Sequence, residues 1–114
     1  MEENNQAPMN IPTGKKYDQG KTRFDLIDYN QIEKLAKVLT SGANKYGDNN
    51  WQDLPDFDNR YFAALMRHLL AWRRGELIDP ESNMSHLAHV MCNTMFLMWK
   101  EDQNEITQLP ILDL

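Results

Sequence analysis

The chain has 114 residues, of which 41% are hydrophobic and 25% are charged, values that fit one small globular domain. Its net charge of −5 provides no basic excess for neutralising phosphates, so we expect no duplex nucleic acid as a partner. There is no run of 18 apolar residues, and the polar, acidic start is unlike a signal peptide, so we expect no membrane contact. A single cysteine, Cys92, gives no intrachain disulfide and favours a cytoplasmic location.

The N-terminal part of the chain carries no helical periodicity. Residues 1–14 are rich in Asn, Glu and Gln and contain two prolines, which is typical of a flexible tail. Residues 15–27 form an arm that turns at Gly20. We expect three apolar residues to anchor this arm to the core, namely Phe24, Leu26 and Ile27.

Apolar spacing predicts a first helix over residues 29–43. Its apolar stripe, at i, i+3, i+4 and i+7, consists of Ile32, Leu35, Ala36 and Leu39. Asp28 is the expected N-cap, with Gln31 at the spacing of a capping box. Either Gly42 or Gly47 is expected to end the helix.

The loop of residues 44–58 is rich in Gly, Asn and Asp and carries two large aromatic residues, Tyr46 and Trp51. In such a loop an aromatic side chain either covers the core or offers a platform to a ligand. The sequence leaves both interpretations open.

A second helix is predicted over residues 59–74. Asp56 or Asp58 is expected to cap its start, and Gly75 is well placed just after its end. Its apolar face consists of Phe62, Leu65, Met66, Leu69 and Leu70.

A third helix is predicted to follow residues 76–81 and to run to about Lys100. Asp79 is expected to cap it, with Pro80 at its first position. The helix is nearly uncharged and apolar on most sides, which is typical of a central helix. Residues 103–114 are expected to be irregular or packed on a neighbour.

Together these elements predict an all-α domain over residues 15–102, an antiparallel array of three main helices, followed by a C-terminal extension over residues 103–114. No strand pattern is evident. The small size and the methionine-rich third helix lead us to expect a homo-oligomer, a dimer or a tetramer, that completes the core.

A polar stripe follows one face of the third helix, since His86, His89 and Asn93 fall at i, i+3 and i+7. Capping accounts for two carboxylates before this helix without a functional role, but carboxylates beside imidazoles are also typical of a divalent cation site. Carboxylate oxygens suit Mg²⁺ or Mn²⁺, and imidazole shifts the preference towards Mn²⁺, Fe²⁺ or Zn²⁺. Both interpretations stay open. The carboxylates beside the stripe are Glu76, Asp79 and Glu81, and a further contributor on the first helix is Glu33.

Cationic side chains accompany these groups. Arginine and lysine suit the recognition of phosphate oxygens, although the same residues would also neutralise the carboxylates in a local network. Cys92 lies between His89 and Asn93, and we expect a buried structural thiol there rather than a nucleophile. The cations in question are Lys21, Lys45, Arg60, Arg67 and His68.

Three runs of the sequence, KYDQGKTRFDLI, GANKYGDNNW and RHLLAWRRGELIDPESNMSHLAHVMCNTMFL, resemble the phage dATP/dGTP diphosphohydrolase family, which is MazG-like and belongs to the all-α NTP pyrophosphatases. The resemblance covers residues 16–99. It implies a helical, oligomeric, Mg²⁺-dependent enzyme that cleaves a purine deoxynucleoside triphosphate between its α and β phosphates. It also implies a role in phage nucleotide metabolism, in the cytoplasm of the infected host.

The resemblance implies roles for individual residues. The catalytic residues it implies are Glu76, Asp79, His86 and His89. The metal ligands it implies are Glu76, Asp79, Glu81, His86 and His89, with Glu33 as an additional contributor. The substrate-binding residues it implies are Lys45, Tyr46, Asn50 and Trp51. To these we add, as expected substrate-binding residues, Asn93 and the cations Lys21, Arg23, Arg60 and Arg67.

The sequence departs from the usual MazG-like pattern. No ExxE pair occurs on the second helix, and His86-Leu-Ala-His89 stands where an ExxD pair is expected. Two other functions therefore stay open. One is a non-catalytic helical phage protein that binds a nucleotide or a host protein, and the other is a structural oligomer whose polar stripe fixes the register of its helices.

Overall fold

The computed structural model describes the backbone of residues 13–112 and the side chains of residues 13–105, so most of the predicted tail lies outside the described residues. Its helices are α1, Tyr29–Tyr46, α2, Phe57–Arg73, and α3, His86–Leu112. Two short strands, β1, Ile78–Asp79, and β2, Met84–Ser85, connect α2 to α3, and 3₁₀ turns lie at Phe24–Leu26 and Asn50–Asp53. The predicted all-α class is confirmed, while the MazG-like topology stays a prediction.

Helix α1 begins where the sequence predicts and ends three residues later than predicted. The carboxylate of Asp28 accepts a hydrogen bond from the backbone N–H of Asn30 at 2.9 Å, which satisfies one of the free donors of the first turn. Gly47, with φ of 96°, ends the helix by donating to the carbonyl of Ala43. Gly42 lies inside the helix.

Helix α2 begins at Phe57, two residues before its predicted start. Asp56 is the N-cap residue in a left-handed conformation, and its carboxylate accepts from the Asn59 amide at 3.0 Å instead of from a backbone N–H. Gly75 follows the helix with φ of 103° and donates to the carbonyl of Trp72, as a residue in the left-handed conformation does at a helix end. The predicted role of Gly75 is confirmed.

The segment between α2 and α3 corrects the prediction that Asp79 caps a helix with Pro80 at its first position. Asp79 does not cap a helix, because it belongs to β1, which pairs with β2 in an antiparallel hairpin. The register places Ile78 opposite Ser85 and Asp79 opposite Met84. Asn83, with φ of 60°, turns the chain out of the right-handed helical region before β2 begins.

Helix α3 is also longer than predicted. It continues from His86 through the predicted boundary at residue 102 to Leu112, so the irregular alternative for residues 103–112 is wrong, while their packing on a neighbour stays a prediction. Proline at position 110 lies in its last turn. The helix starts only after the hairpin, which places His86 at its first residue.

The core lies along one stripe of α3. Ala88, Cys92 and Phe96, at i, i+4 and i+8, are buried and pack with Val38 of α1 and Phe57 of α2. Helix α3 thus packs against both other helices, as predicted for a central helix. None of the large side chains that the structure describes is fully buried.

An aromatic cluster attaches the loop between α1 and α2 to the core. The indole of Trp51 stacks on Phe96, with ring centroids 4.3 Å apart, and meets Trp99 edge-on at 5.0 Å. Tyr61 packs against Phe96, and its hydroxyl donates to the Trp51 carbonyl at 2.8 Å. Trp51 therefore covers the core, whereas Tyr46 is 67% exposed.

The predicted anchoring of the N-terminal arm is wrong within this chain. Phe24 is 75% exposed and Leu26 is 71% exposed, because the 3₁₀ turn that holds them makes no buried contact.

None of the described helices has the length and apolar character needed to cross a bilayer.

We predict that Trp51→Ala lowers the free energy of unfolding by about 2–3 kcal/mol, less than the loss for a fully buried tryptophan because the indole is only partly buried. Urea denaturation followed by far-UV circular dichroism measures the loss. Tyr46→Ala, in the same segment, is the control and changes the free energy by less than about 0.5 kcal/mol. Equal losses in the two variants would contradict the role of the aromatic cluster.

Candidate functional site

An open cleft of about 910 Å³ lies where α1, α2, the hairpin and α3 meet. Its volume is within the range of small-molecule sites, and its walls combine apolar surface with a few charged side chains. The charged and imidazole side chains that line it are Lys45, Asp48, Arg60, His68, Asp79, Glu81 and His89.

Asp79 is the buried carboxylate of the site, with 9% of its surface exposed. Burial would raise its pKa, but hydrogen bonds from the Ser82 hydroxyl at 2.9 Å and from the backbone N–H groups of Glu81 and Ser82 keep the pKa below its ordinary value. The carboxylate is thus held ionised, and it fixes the shape of the turn between the strands.

Ser82 connects Asp79 to α3. Its Oγ donates to Asp79 and lies 2.7 Å from Nε2 of His89, and it also accepts from the backbone N–H of Met84. Since the one hydroxyl proton goes to the carboxylate, Nε2–H of His89 is the donor to Ser82. His89 Nε2 lies 3.7 Å from the nearer Asp79 oxygen.

A second chain of hydrogen bonds leads from the surface to the cleft. The carboxylate of Glu76, whose side chain is 51% exposed, lies 2.7 Å from Nε2 of His86. Nδ1 of the buried His86 lies 2.8 Å from Nδ1 of His68 on α2. Of these three side chains, His68 alone lines the cleft.

His68 and His89 stack face to face, with ring centroids 4.2 Å apart and an interplanar angle of 5°. Burial lowers the pKa of both imidazoles, and the neighbouring histidines lower it further, whereas Asp79 opposes the shift. Both rings are therefore neutral at pH 7, the state in which an imidazole binds a metal or accepts a proton.

The structure brings together most of the predicted site residues. Three of the predicted catalytic or metal residues line the cleft, and so do six of the predicted substrate-binding residues. These nine residues are Asp79, Glu81, His89, Lys45, Tyr46, Asn50, Trp51, Arg60 and Asn93.

Six other predicted residues lie outside the cleft walls. Arg23 is exposed and forms an ion pair with Asp25 at 2.8 Å. Glu76 and His86 contact each other and reach the cleft only through His68. The remaining three, which are exposed on the arm, α1 and α2, are Lys21, Glu33 and Arg67.

The sequence does not predict the roles of His68 and Ser82 in the site. His68 was placed among the cations, although its spacing from Arg60 and Ala64 puts it on the same face of α2 as those cleft residues. No signal in the sequence shows that this face meets His89. The helical interpretation of the segment concealed Ser82, because its hydroxyl reaches Asp79 only in a hairpin turn.

Asp79, His68 and His89 bring a carboxylate oxygen and two imidazole nitrogens within 4.8 Å of one another, which makes this group a candidate metal centre. Asn93 lies one turn further along α3 and donates from its side-chain amide to the His89 carbonyl at 2.8 Å. The arrangement is capable of binding a cation and a phosphorylated ligand side by side.

Cys92 lines the same cleft, yet its thiol is only 4% exposed, and burial raises its pKa to about 12. A thiol with such a pKa carries almost no thiolate at neutral pH and is a weak nucleophile. This supports the predicted structural role of Cys92.

We predict that iodoacetamide at pH 8 modifies Cys92 at least about 100-fold more slowly in the folded chain than in urea, since a thiol of ordinary pKa is partly ionised at that pH. Intact-mass spectrometry against time gives both rates. Glutathione in the same buffer serves as the control for reagent reactivity. Similar rates in the folded and unfolded chain would refute the assignment of an inert thiol.

Comparison with known proteins identifies the family of this chain. The family model described as "dATP/dGTP diphosphohydrolase, N-terminal" matches residues 12–109. A protein of Salmonella phage PMBT28 named dATP/dGTP diphosphohydrolase is 40% identical over 87 residues, which are 76% of this chain and 29% of that protein. The chain thus spans less than a third of that relative's length, and no solved structure matches it. The chain belongs to the family of dATP/dGTP diphosphohydrolase N-terminal domains.

Proposed function

We propose that this chain hydrolyses purine deoxynucleoside triphosphates, dATP and dGTP, to the monophosphate and pyrophosphate in phage nucleotide metabolism. The observation that carries the proposal is one cleft that holds an ionised carboxylate, two neutral imidazoles and two cationic side chains. A nucleoside triphosphate needs all of these, because its phosphates require cations while its hydrolysis requires a proton acceptor.

Two residues are placed to hold the phosphates. Lys45 comes from the last turn of α1 and Arg60 from the first turns of α2, and both line the cleft. Their charges offset those of the triphosphate and stabilise the pyrophosphate as it leaves.

The purine base is assigned to the aromatic end of α1. Tyr46 is exposed and lies beside Lys45, whereas one face of the Trp51 indole is covered by Phe96. Tyr46 therefore offers the stacking surface and Trp51 a wall, and the amides of Asn50 and Asn93 are hydrogen-bonding groups for the base or sugar. Stacking of a base on an aromatic ring contributes about 1–3 kcal/mol.

The cofactor we propose is a divalent cation, Mg²⁺ or Mn²⁺. The ionised carboxylate of Asp79 and that of Glu81, both on the cleft, are ligands that either ion accepts together with phosphate oxygens. Bound there, the cation supplies polarisation of the phosphate oxygens and a lowered pKa of bound water.

Glu81, whose carboxylate lines the cleft, is the residue to which we assign the proton. A free oxygen of this carboxylate accepts the proton from water as that water attacks the α phosphorus. The bond between the α phosphorus and its bridging oxygen to the β phosphate breaks, and pyrophosphate leaves with that oxygen.

We predict that the chain releases dAMP and dGMP with pyrophosphate when it is incubated with dATP and dGTP and either Mg²⁺ or Mn²⁺, and that dCTP and dTTP react more slowly. Asp79→Asn lowers kcat/KM by at least about 100-fold, because the amide removes the charge that the site is built around. Anion-exchange chromatography of the nucleotides measures both.

Arg73→Ala, an exposed substitution at the end of α2, is the control and leaves the rate unchanged. Failure to form a monophosphate from any of the four nucleotides would overturn the enzymatic proposal. Calorimetric nucleotide binding without turnover would instead assign the chain the role of a nucleotide-binding module.

We also propose that the chain self-associates. One face of α3 carries the apolar residues Leu87, Met91 and Met98, which are 42%, 39% and 59% exposed, and Met91 and Met98 line a second, apolar depression. Such an exposed, largely apolar face favours contact with another copy of the chain.

Light scattering during size-exclusion chromatography is expected to give two or four times the chain mass of 13.4 kDa. Met98→Glu, which places a charge on this apolar face, shifts the mass towards that of one chain. Lys37→Glu, on the exposed face of α1, is the control and does not. A wild-type mass of 13.4 kDa would contradict self-association.

A further inference from the structure

The hydrogen bonds of His86 and Glu76 fix the tautomer of the His68 imidazole and leave one of its nitrogens available to a ligand. The Glu76 carboxylate accepts only, so Nε2 of His86 carries the proton that is donated to it, and in that tautomer Nδ1 of His86 presents a lone pair. His68 must then donate from its own Nδ1 to His86. Its Nε2 is left unprotonated, on a side chain that lines the cleft.

Metal-binding histidines in proteins have this arrangement. The ring nitrogen that does not bind the metal donates to a carboxylate or another acceptor, which fixes the tautomer and orients the ring. Here the acceptor is an imidazole that is itself held by a carboxylate. The hydrogen bonds between Glu76 and His86 and between His86 and His68 therefore give the His86 side chain, which is only 3% exposed, a partner at each ring nitrogen.

Two further donors lie next to His68. The ligand atoms of His68, Asp79 and His89 are within 4.8 Å of one another, and donors around one metal at about 2.1 Å are separated by about 3–4 Å. Because the rings of His68 and His89 are stacked in nearly parallel planes, one of them must turn out of the stack before both lone pairs meet one ion. Ser82 can keep its hydrogen bond to Asp79 while the proton of His89 resides on Nδ1 and Nε2 becomes a ligand.

We propose that His68, His89 and Asp79 form a two-histidine, one-carboxylate site for a transition-metal dication, and that Glu76 and His86 act as positioning residues for His68. Two imidazoles favour Mn²⁺, Fe²⁺, Co²⁺ or Zn²⁺ over Mg²⁺, which prefers oxygen ligands. Three protein ligands leave coordination positions open for water and phosphate oxygens. The inference rests on the proposed function only for the use of the metal in hydrolysis.

The test uses the metal-free full chain and no nucleotide. Calorimetry with Mn²⁺, Zn²⁺ and Mg²⁺, and the visible absorption of added Co²⁺, report the affinity and the nitrogen ligands directly. We expect one Mn²⁺, Co²⁺ or Zn²⁺ per chain, bound at least about 100-fold more tightly than Mg²⁺. Binding of Mg²⁺ as tight as that of Mn²⁺ and Zn²⁺ would overturn the proposal.

Two variants separate the ligand from its positioning residues. His68→Ala is expected to lower the affinity for Co²⁺ and Zn²⁺ by at least about 100-fold, whereas Glu76→Ala lowers it by about 10–100-fold because the tautomer of His86 is no longer fixed. Glu101→Ala, an exposed glutamate on α3, is the control and leaves the affinity unchanged. Far-UV circular dichroism checks folding, and Glu76→Ala, at a half-exposed position, supplies the test if His68→Ala does not fold. Unchanged affinity in the folded variants would overturn the site.

Failure of the metal site and failure of the proposed activity are distinguishable. If metal binding depends on His68 but the chain hydrolyses no nucleotide, the metal site is supported and the proposed activity is overturned. Hydrolysis that His68→Ala retains in full removes the site as assigned and leaves the activity.

Discussion

The hydrogen-bonding requirement of one buried carboxylate organises the functional half of this protein. Asp79 is almost inaccessible to water, and a buried charge is costly unless donors surround it. The donors are the backbone N–H groups of Glu81 and Ser82 and the Ser82 hydroxyl, all within the same turn. The turn therefore closes around the carboxylate, and Ser82 is brought against His89 on α3.

The helices of the fold are predictable from local signals. The apolar spacing before Gly47 and Gly75, together with the cap at Asp28, defines α1 and α2 to within three residues at each end. Such signals act through backbone conformation and the nearest turn, so no knowledge of packing is needed. The late end of α3 could not be read in this way, because residues 103–112 contain no strong stop signal before Pro110.

The hairpin shows why the capping pattern of Asp79 predicted a helix start where the structure has a turn between two strands. Asp79 accepts from the N–H groups two and three residues later, which is the pattern of a helix N-cap. The chain does not continue as a helix, since Asn83 adopts a left-handed conformation and β2 pairs back onto β1. The cap and the turn use the same hydrogen bonds to Asp79, and they differ in the φ angle of Asn83 and in the strand pairing that follows.

The sequence predicts which site residues share one face of a helix, but it does not predict which residues of different elements contact each other. His86, His89 and Asn93 share one face of α3 because the helical period requires it. The pairing of His68 with His86 depends on how α2 is rotated against α3, which the packing of Tyr61 on Phe96 helps to set. Neither residue alone indicates the other, and Glu76 is connected to His86 only through the return of the hairpin.

Helix α3 carries the core stripe Ala88, Cys92 and Phe96 on the same rigid body as His86 and His89. The two imidazoles of α3 therefore have no local unfolding unit of their own. A backbone fluctuation of α3 that displaces them must also disturb apolar contacts of the core, so their positions persist for as long as α3 stays packed. A substitution that stabilises the packing of α3 therefore also stabilises the positions of the imidazoles that this helix carries.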